Sequence, residues 1–302
     1  MKILITGATG FVGKTLIPYL FDRGITDIAI LVRDKEKALK LFPLIPITIF
    51  EIDNNMRDSV ISYSPDVVLH MAALFNTRDD ADTAIKILDS NITFGTLLLE
   101  AISKTSCQYF INIGTFAEFM FGAGEYMPNS LYAASKTAFR SLIQYYQNIS
   151  EFKLINVVLY TSYGRQNNQK KVVDYMLDAM DSAIPVNFTL GEQVSDFIHV
   201  DDIADFFYTL FTKIDVCKNN YTQFHLGTGY GYSIREASLI LEKVFYKKIN
   251  ANWGGLPYRP LDVMYAVAPI ARNIELLNWK AKISLEQGFS ILKEDMDDKK
   301  NN

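Results

Sequence analysis

The first twenty residues carry the pattern that most constrains the fold of this chain. A short apolar run, Lys2–Thr6, leads directly into a glycine turn, and Lys14–Leu20 is typical of a helix. A strand, a glycine turn and a helix in this order predict the opening of a dinucleotide-binding unit. Gly7 would allow a tight turn, Gly10 would let backbone amides approach a pyrophosphate, and Gly13 would let the helix pack close to the strand. The helix N-terminus would offer unpaired N–H groups to the phosphates.

Short apolar runs alternate with helix-like segments through the first half of the chain. After the first strand, the runs predicted as strands are 28–32, 47–52, 66–71, 109–113 and 154–159, and helical spacing is clearest over 87–103 and 131–148. This alternation predicts an α/β fold, a Rossmann-type doubly wound parallel sheet with a smaller C-terminal substrate lobe. A ligand would then bind in the crevice at the carboxyl ends of the strands.

The domain boundaries follow from where the alternation weakens. Residues 1–163 are predicted to form the dinucleotide-binding Rossmann domain, and 193–229 to return to it. Residues 164–192 and 230–292, which contain several glycines and prolines, are predicted to form the substrate-binding lobe. The charged end, 293–302, is predicted to be a frayed tail.

Composition excludes several classes of protein. The chain has 302 residues, 49% hydrophobic and 21% charged, with a formal net charge of −4, which favours a soluble globular enzyme over a disordered or nucleic-acid-binding protein. Its apolar runs are shorter than the ~18 residues that span a membrane, and the first is too short for a signal peptide, so we expect a cytoplasmic protein. Cys107 and Cys217 lack metal-ligand spacing, so we expect buried thiols in a reducing compartment and no metal site.

Tyr132 and Lys136 form the second informative pattern. On a helix, residues four apart lie on the same face, one turn apart. The ordinary pKa of tyrosine is about 10, and a nearby ammonium group, with an oxidised nicotinamide, would favour the phenolate. Such a pair can move a proton to or from an alcohol oxygen, although a chance pair on a solvated helix face has the same spacing. Thr115 follows a predicted strand and could hydrogen-bond a substrate oxygen or simply cap a turn.

Together these segments resemble the extended short-chain dehydrogenases/reductases, the NAD-dependent epimerase/dehydratase family acting on nucleotide sugars. Asn91 and Gly95 match the family's N-x-x-G-T helix start with one extra residue before the glycine. The other matching segments are the glycine turn and residues 70–73, 132–136, 196–204, 226–229, 259–262, 277–280 and 284–288. Within the family the chain looks most like the CDP-abequose and paratose synthase branch.

The resemblance implies roles by position. Thr115, Tyr132 and Lys136 would form the catalytic triad, with Tyr132 as the acid or base and Lys136 lowering its pKa and holding the nicotinamide ribose. Asp53 would reach the adenine, and Arg259 would bind the diphosphate of a nucleotide sugar. The implied cofactor-binding set is Gly7, Thr9, Gly10, Phe11, Val12, Gly13, Arg33, Asp53, Ala72, Tyr132 and Lys136, and the implied substrate-binding set is Thr115, Thr161 and Arg259.

Two departures from the family pattern bear on cofactor and reaction. NAD-dependent members usually carry an acidic residue at the end of the second strand, where this chain has Val32, Arg33 and Asp34. Arg33 could bind a 2′-phosphate, which favours NADP(H), while the adjacent Asp34 keeps NAD(H) possible. The related 4,6-dehydratases follow the threonine with Asp-Glu, whereas Thr115 precedes Phe116 and Ala117, and Glu118 comes one place late. Dehydration is therefore disfavoured.

These features favour an NAD(P)H-dependent reductase of a nucleotide-linked 4-keto-6-deoxy or 3,6-dideoxy hexose, which implies a nucleotide-sugar substrate. A 4-epimerase with bound NAD is the alternative, and a non-catalytic nucleotide-sensing module is a remote one. The resemblance also implies a homodimer through a four-helix bundle. The apolar residues offered by its two helices are Leu97, Leu98, Ile102, Phe139, Leu142, Ile143 and Tyr146, of which some must pack on the sheet.

Overall fold

A seven-stranded parallel sheet forms the centre of the molecule. The structure, a computed structural model, describes residues 1–78, 80–164 and 170–301. The strands of the sheet are β1 Ile3–Thr6, β2 Ile28–Val32, β3 Thr48–Glu51, β4 Val67–His70, β5 Tyr109–Thr115, β6 Lys153–Leu159 and β11 Tyr221–Leu226. Their order is β11-β6-β5-β4-β1-β2-β3, so successive strands are added outward on either side of a switch point between β1 and β4. The predicted Rossmann-type fold is confirmed.

Alternating side chains of these strands enter two separate cores. Ile3, Ile5 and Ile30 face one side, while Leu4 and Leu31 face the other, as the two-residue period of a strand requires. Strands buried on both faces need apolar residues at nearly every position, and this is why their sequences form short continuous apolar runs.

Helices cover both faces of the sheet. Their bounds are α1 Phe11–Phe21, α2 Lys35–Leu41, α3 Met56–Tyr63, α4 Ala81–Leu88, α5 Phe94–Ile102, α6 Leu131–Asn148, α8 Val200–Thr212 and α10 Ala271–Leu277. Side chains of α1 and α8 fill one core, and side chains of α3, α5 and α6 fill the other. A single π-helical turn, Asp89–Thr93, joins α4 to α5.

A third apolar core lies outside the main sheet, where Met176, Leu241 and Phe289 pack together. Its helices are α7 Val172–Asp181, α9 Ile234–Phe245 and α11 Leu285–Asn301. The remaining strands form three small sheets. The first pairs β7 Thr161–Tyr163 with β10 Phe197–His199, and the second pairs β8 Val186–Phe188 with β13 Ala251–Trp253. In the third, β9 Val194–Ser195 lies between β12 Tyr232–Ser233 and β14 Tyr265–Ala266.

The end of the chain differs from its prediction. Residues 293–301, predicted as a frayed tail, continue α11, and Met296 packs against the third core. The single apolar anchor outweighs the charged composition that suggested fraying. Cys107 and Cys217 are buried free thiols, as expected. In the part of the chain that the structure describes, none of the helices is both long and apolar enough to cross a membrane.

The glycine turn after β1 packs closely against the loop after β4. Gly7 has a φ of +73°, and a Cβ there would lie 2.7 Å from the amide nitrogen of Ala72 and 2.8 Å from the carbonyl carbon of Met71. Both distances are too short for any side chain, so the contact between the two strand ends requires glycine at this position.

We predict that Gly7→Ala destabilises the protein by more than Gly24→Ala. Gly24 has a similar φ of +83°, but an added Cβ there meets no heavy atom of the described residues within 4 Å. The left-handed conformation alone costs roughly 1–2 kcal/mol for alanine, and overpacking at Gly7 adds roughly 1–3 kcal/mol. Urea unfolding of both variants gives the comparison. Equal losses of unfolding free energy would show that the close approach at Gly7 does not matter.

Candidate active site

The start of α1 provides a cradle of backbone amides. Gly10 is the exposed N-cap of α1, without a side chain to cap its first N–H groups, and its own N–H donates to the Gly7 carbonyl (3.0 Å). A Cβ at Gly13 would lie 2.2 Å from the Ala8 carbonyl oxygen, so glycine permits the close packing predicted for it. Thr9, Phe11 and Val12 lie in the same turn and the first turn of α1. This geometry fits a pyrophosphate.

The ends of β2 and β3 lie side by side at the same edge of the sheet. Val32 is buried, whereas Arg33 is exposed. Asp34 is the N-cap of α2, and its carboxylate accepts the Lys37 N–H at 2.8 Å. Asp53, two residues beyond β3, is also exposed, and its carboxylate accepts the Asn55 N–H at 2.8 Å. The structure therefore places Arg33 and Asp53 at neighbouring strand ends and engages Asp34 in a helix cap.

The end of β4 is joined to β1 through side chains. Thr6 Oγ1 lies 2.9 Å from Nδ1 of His70 and accepts the Ala72 N–H at 3.1 Å. Burial, together with the Lys136 ammonium group, lowers the pKa of His70 to about 3. His70 is therefore neutral and structural, and its proximity to Lys136 places that residue beside the switch point of the sheet.

The π-helical turn accommodates the extra residue seen in the sequence. Asn91, buried within that turn, accepts the Leu74 N–H (2.7 Å) and donates to the Leu74 carbonyl (3.2 Å) and to Ser135 Oγ (3.0 Å). Gly95 lies beyond the turn, where a Cβ would be 2.4 Å from the Phe139 ring. A π turn lengthens a helix locally by one residue. Despite the insertion, Asn91 therefore still contacts the loop after β4, and Gly95 still packs against α6.

Thr115 ends β5 and caps a single 3-10 turn, Phe116–Glu118. The Ala117 N–H donates to Thr115 Oγ1 at 3.3 Å, and the Thr115 N–H donates to Oε1 of Glu118 at 2.8 Å. This reciprocal arrangement is a capping box. Because the hydroxyl oxygen accepts a hydrogen bond from the turn, its own proton remains available to a ligand oxygen.

Tyr132 and Lys136 both lie on the first turns of α6, one turn apart. Burial, and secondarily the Glu118 carboxylate, raises the pKa of Tyr132 above its ordinary value. Burial lowers the pKa of Lys136 to about 8, against the effect of Glu118. The positive end of the α6 dipole lies next to Tyr132 and favours negative charge there. Burial therefore has the larger effect on the pKa of both residues, and the Glu118 carboxylate modifies it.

Aromatic residues flank the catalytic candidates. The ring of Phe75, on the loop after β4, meets the Tyr132 ring edge-on at a centroid distance of 5.0 Å. Phe116, the residue after Thr115, stacks on Tyr160 at a centroid distance of 5.7 Å. Phe75 is 42% exposed, so the Tyr132 ring is reached from a partly apolar surface. The contacts of Phe75 and Tyr160 join residues far apart in the chain and have no local signal in the sequence.

Thr161 and Arg259 are the two substrate-binding candidates that lie outside β5 and α6. Thr161 begins β7, two residues beyond β6, and its N–H donates to the Asp196 carbonyl at 3.0 Å. Arg259 is exposed, and its Nε donates to the Asp262 carboxylate at 3.1 Å. An exposed ion pair contributes about 0–1 kcal/mol, so this pairing leaves the guanidinium able to turn to a ligand.

A buried ion pair behind the site was missed by the sequence analysis. Arg140 Nη2 lies 2.8 Å from Oε2 of Glu118, and Thr137 Oγ1 donates to the same oxygen at 2.9 Å. A signal was present, since Thr115 and Glu118 have the T-x-x-E spacing of a capping box. Thr137 and Arg140 follow Lys136 by one and four residues on α6, but only the structure shows which face they occupy.

Comparison with known proteins gives relatives that match nearly the whole chain. CDP-abequose synthase of Salmonella typhimurium is 25% identical over 295 residues, which cover 96% of both chains. CDP-abequose synthase of Yersinia pseudotuberculosis is 27% identical over 278 residues, 87% of this chain and 91% of that protein. The structure of UDP-glucuronic acid 4-epimerase from Bacillus cereus, in complex with UDP-glucuronic acid and NAD, superposes with a TM-score of 0.86 at 23% identity and covers 99% of each chain.

The family of this chain is assigned from a family model, whose match includes the glycine turn, the turn after Thr115 and the helix of Tyr132 and Lys136. A model of the NAD dependent epimerase/dehydratase family matches residues 3–227. This match covers well over half of the chain, and the chain therefore belongs to the NAD dependent epimerase/dehydratase family of enzymes.

Proposed function

We propose that this enzyme reduces the 4-keto group of a nucleotide-linked 6-deoxy or 3,6-dideoxy hexose with NADPH. The observation that carries the proposal is the environment of Glu118. Its carboxylate is fully buried and holds Thr115, Thr137 and Arg140. It therefore cannot act as an acid or base on a substrate. With Phe116 and Ala117 beside Thr115, the turn lacks the proton-shuttling pair that elimination of water requires.

The remaining groups suit proton donation to a carbonyl oxygen. A bound dinucleotide would supply the hydride that reduces the carbonyl carbon. Tyr132 donates its phenolic proton to the carbonyl oxygen, and the Thr115 hydroxyl donates a hydrogen bond to the same oxygen. Lys136, buried one turn along α6, stabilises the phenolate that remains. All three groups lie at the carboxyl end of the parallel strands or on the helix packed against it.

NADPH is favoured over NADH by the end of β2. Arg33 presents an exposed guanidinium there, and buried Val32 offers no acceptor for ribose hydroxyls. The Asp34 carboxylate is engaged by the Lys37 amide in the α2 cap. A 2′-phosphate suits a guanidinium because both can form two parallel charge-assisted hydrogen bonds. Asp53 at the neighbouring strand end would contact the adenine.

The substrate class rests on the relatives and on Arg259. Two relatives with nearly full coverage are CDP-abequose synthases. Arg259 would bind the diphosphate of the nucleotide carrier in exchange for Asp262, and Thr161 would contact the sugar. The partly exposed Phe75 ring beside Tyr132 suits a sugar ring that lacks hydroxyl groups.

A 4-epimerase with tightly held NAD is the second candidate. It is favoured by the similarity in fold to an epimerase crystallised with NAD. Epimerisation needs the same Tyr132–Lys136 pair, since oxidation and reduction occur in turn at one carbon. The two functions differ in whether NADPH is consumed or the dinucleotide is returned unchanged.

The enzyme is also proposed to form a homodimer through α5 and α6, in a four-helix bundle. Four of the apolar residues that the sequence offered for the interface are buried within the subunit and cannot form it, namely Leu98, Ile102, Phe139 and Ile143. Leu97 and Tyr145 are 55% and 58% exposed. These two side chains, with half-buried Leu142 and Tyr146, remain for a second copy of the chain.

The first test is the oxidation of NADPH, followed by absorbance, with CDP- and dTDP-linked 4-keto-6-deoxyhexoses. We predict stoichiometric consumption with at least one sugar. Tyr132→Phe removes the proton donor and should lower kcat roughly 10²–10⁴-fold, with a much smaller effect on NADPH binding, measured by fluorescence. If no NADPH is consumed and denaturation releases bound NAD, the epimerase is favoured instead.

The cofactor preference is tested at Arg33. Arg33→Ala should reduce the NADPH to NADH ratio in kcat/KM roughly 10- to 150-fold, because a charge-assisted hydrogen bond is worth roughly 1.5–3 kcal/mol. Steady-state kinetics with each dinucleotide measures this ratio. Arg23→Ala, at an exposed arginine near the end of α1, is the matched control and should leave the ratio unchanged. An unchanged ratio in Arg33→Ala would contradict the proposed 2′-phosphate contact.

The dimer is tested at Leu97. Leu97→Glu places a charge in the proposed apolar interface and should convert the dimer to a monomer in sedimentation velocity experiments. Leu239→Glu is the matched control, since Leu239 is 62% exposed on α9, away from α5 and α6. A wild-type chain that sediments as a monomer would contradict the proposed assembly.

A further inference from the structure

Glu118 is a charged residue without any contact with solvent. It is 0% exposed and ends the 3-10 turn that follows Thr115. Burial of a carboxylate is unfavourable unless its oxygens are paired and hydrogen-bonded. Here Oε1 accepts the Thr115 N–H, while Oε2 accepts the Thr137 hydroxyl and contacts Arg140. Both oxygens are therefore used to hold other parts of the site.

The partners of Glu118 on α6 both follow Lys136 along the helix. Thr137 is the next residue, and Arg140 lies one turn further along. Gly114 makes room for the carboxylate, because a Cβ there would lie 2.9 Å from Glu118 Oε1. One carboxylate thus joins the amide of Thr115 to the part of α6 that carries Lys136.

We infer that Glu118 and Arg140 form a positioning pair, which fixes Thr115 against α6 and keeps the charge beside Tyr132 balanced. This inference rests on the proposed reductase function and goes beyond it, since neither residue touches the substrate. Arg140 is itself enclosed: it is 8% exposed, and its guanidinium lies 4.5 Å from the centroid of the Tyr126 ring. The pair is therefore neutral overall but close to the proton donor.

Removal of one charge of the pair should change the acidity of Tyr132. The Glu118 carboxylate raises the pKa of Tyr132, although burial has the larger effect. Arg140 lowers the pKa of Lys136; without the Glu118 carboxylate its guanidinium would be an uncompensated positive charge, and we expect it to lower the pKa of Tyr132 as well. The titratable groups around the pair are Tyr126, Tyr132, Lys136 and Tyr221, with His70 beside Lys136.

The charge balance is tested by the pH profile of kcat/KM for sugar reduction. Tyr132 must hold its proton to donate it, so activity is lost as the pH rises through its pKa. Glu118→Gln keeps an oxygen for the Thr115 amide but removes the negative charge, and should move the alkaline limb down by about one pH unit. Glu118→Gln combined with Arg140→Met removes both charges and should restore the limb to its wild-type position.

The positioning of Thr115 is tested by a second pair of variants. Both double variants lack the two charges. Glu118→Gln with Arg140→Met keeps a side-chain oxygen that can accept the Thr115 N–H, whereas Glu118→Ala with Arg140→Met does not. We expect kcat about tenfold lower in the alanine variant, with KM and the alkaline limb little changed. Glu100→Gln, which breaks an exposed pair with Arg57 on another face, is the control and should change neither quantity.

A readout without turnover separates this inference from the proposed function. The ultraviolet absorbance of tyrosinate, measured with bound oxidised dinucleotide and against the Tyr132→Phe counterpart of each variant, reports the Tyr132 pKa directly. If no sugar is reduced but Glu118→Gln lowers that pKa and the double variant restores it, the pair stands and the reductase proposal fails. If sugar is reduced but the Tyr132 pKa does not move, the inference about the pair is wrong.

Discussion

The close packing of the first glycine turn on the loop after β4 is the constraint on which the rest of the site depends. Gly7 lets the backbone of Ala72 approach within a distance that no side chain allows. The Thr6 hydroxyl bridges the same two strand ends through His70 and Ala72. Because these contacts fix the switch point of the sheet, they place the amides at the start of α1 opposite the residues that follow β4 and β5.

Charge within this framework is arranged behind the catalytic residues. Burial lowers the pKa of Lys136, and the Glu118 carboxylate opposes this shift. Arg140, which is paired with Glu118, offsets part of the effect of that carboxylate. A buried ion pair contributes little net stability compared with apolar residues. Its value here lies in holding the Thr115 amide and in setting the electrostatic field at Tyr132. In related dehydratases the acid and base follow the threonine directly; here the carboxylate of Glu118 is buried and engaged by Thr115, Thr137 and Arg140.

Much of the fold could be predicted from the sequence because short, fully buried parallel strands have continuous apolar runs. The glycine turn and the helix that carries Tyr132 and Lys136 were also predicted at the correct positions, because their patterns lie within short stretches of the sequence. The final turns of α11 were not, because the packing of Met296 on a distant core has no local signature. Nor could the sequence tell which of Leu97 and Leu98 faces solvent, since adjacent helical residues differ by about 100° in direction.

The site was predicted less completely than the fold, because its remaining interactions connect residues far apart in the chain. The aromatic contact between Phe75 and Tyr132 and the pairing of Arg140 with Glu118 depend on how α6 is rotated against β5. The extra residue near Asn91 was visible in the sequence, but its accommodation by a π turn required the structure.

The most direct test of the central claim is the transfer of deuterium from NADPH labelled at the reactive carbon of its nicotinamide ring. A reductase should place one deuterium on the sugar carbon that bore the keto group, with one NADPH oxidised for each product molecule. Mass spectrometry of the product and absorbance of the dinucleotide measure both quantities. Conversion of a nucleotide sugar without label and without net loss of NADPH would contradict the account and indicate an epimerase.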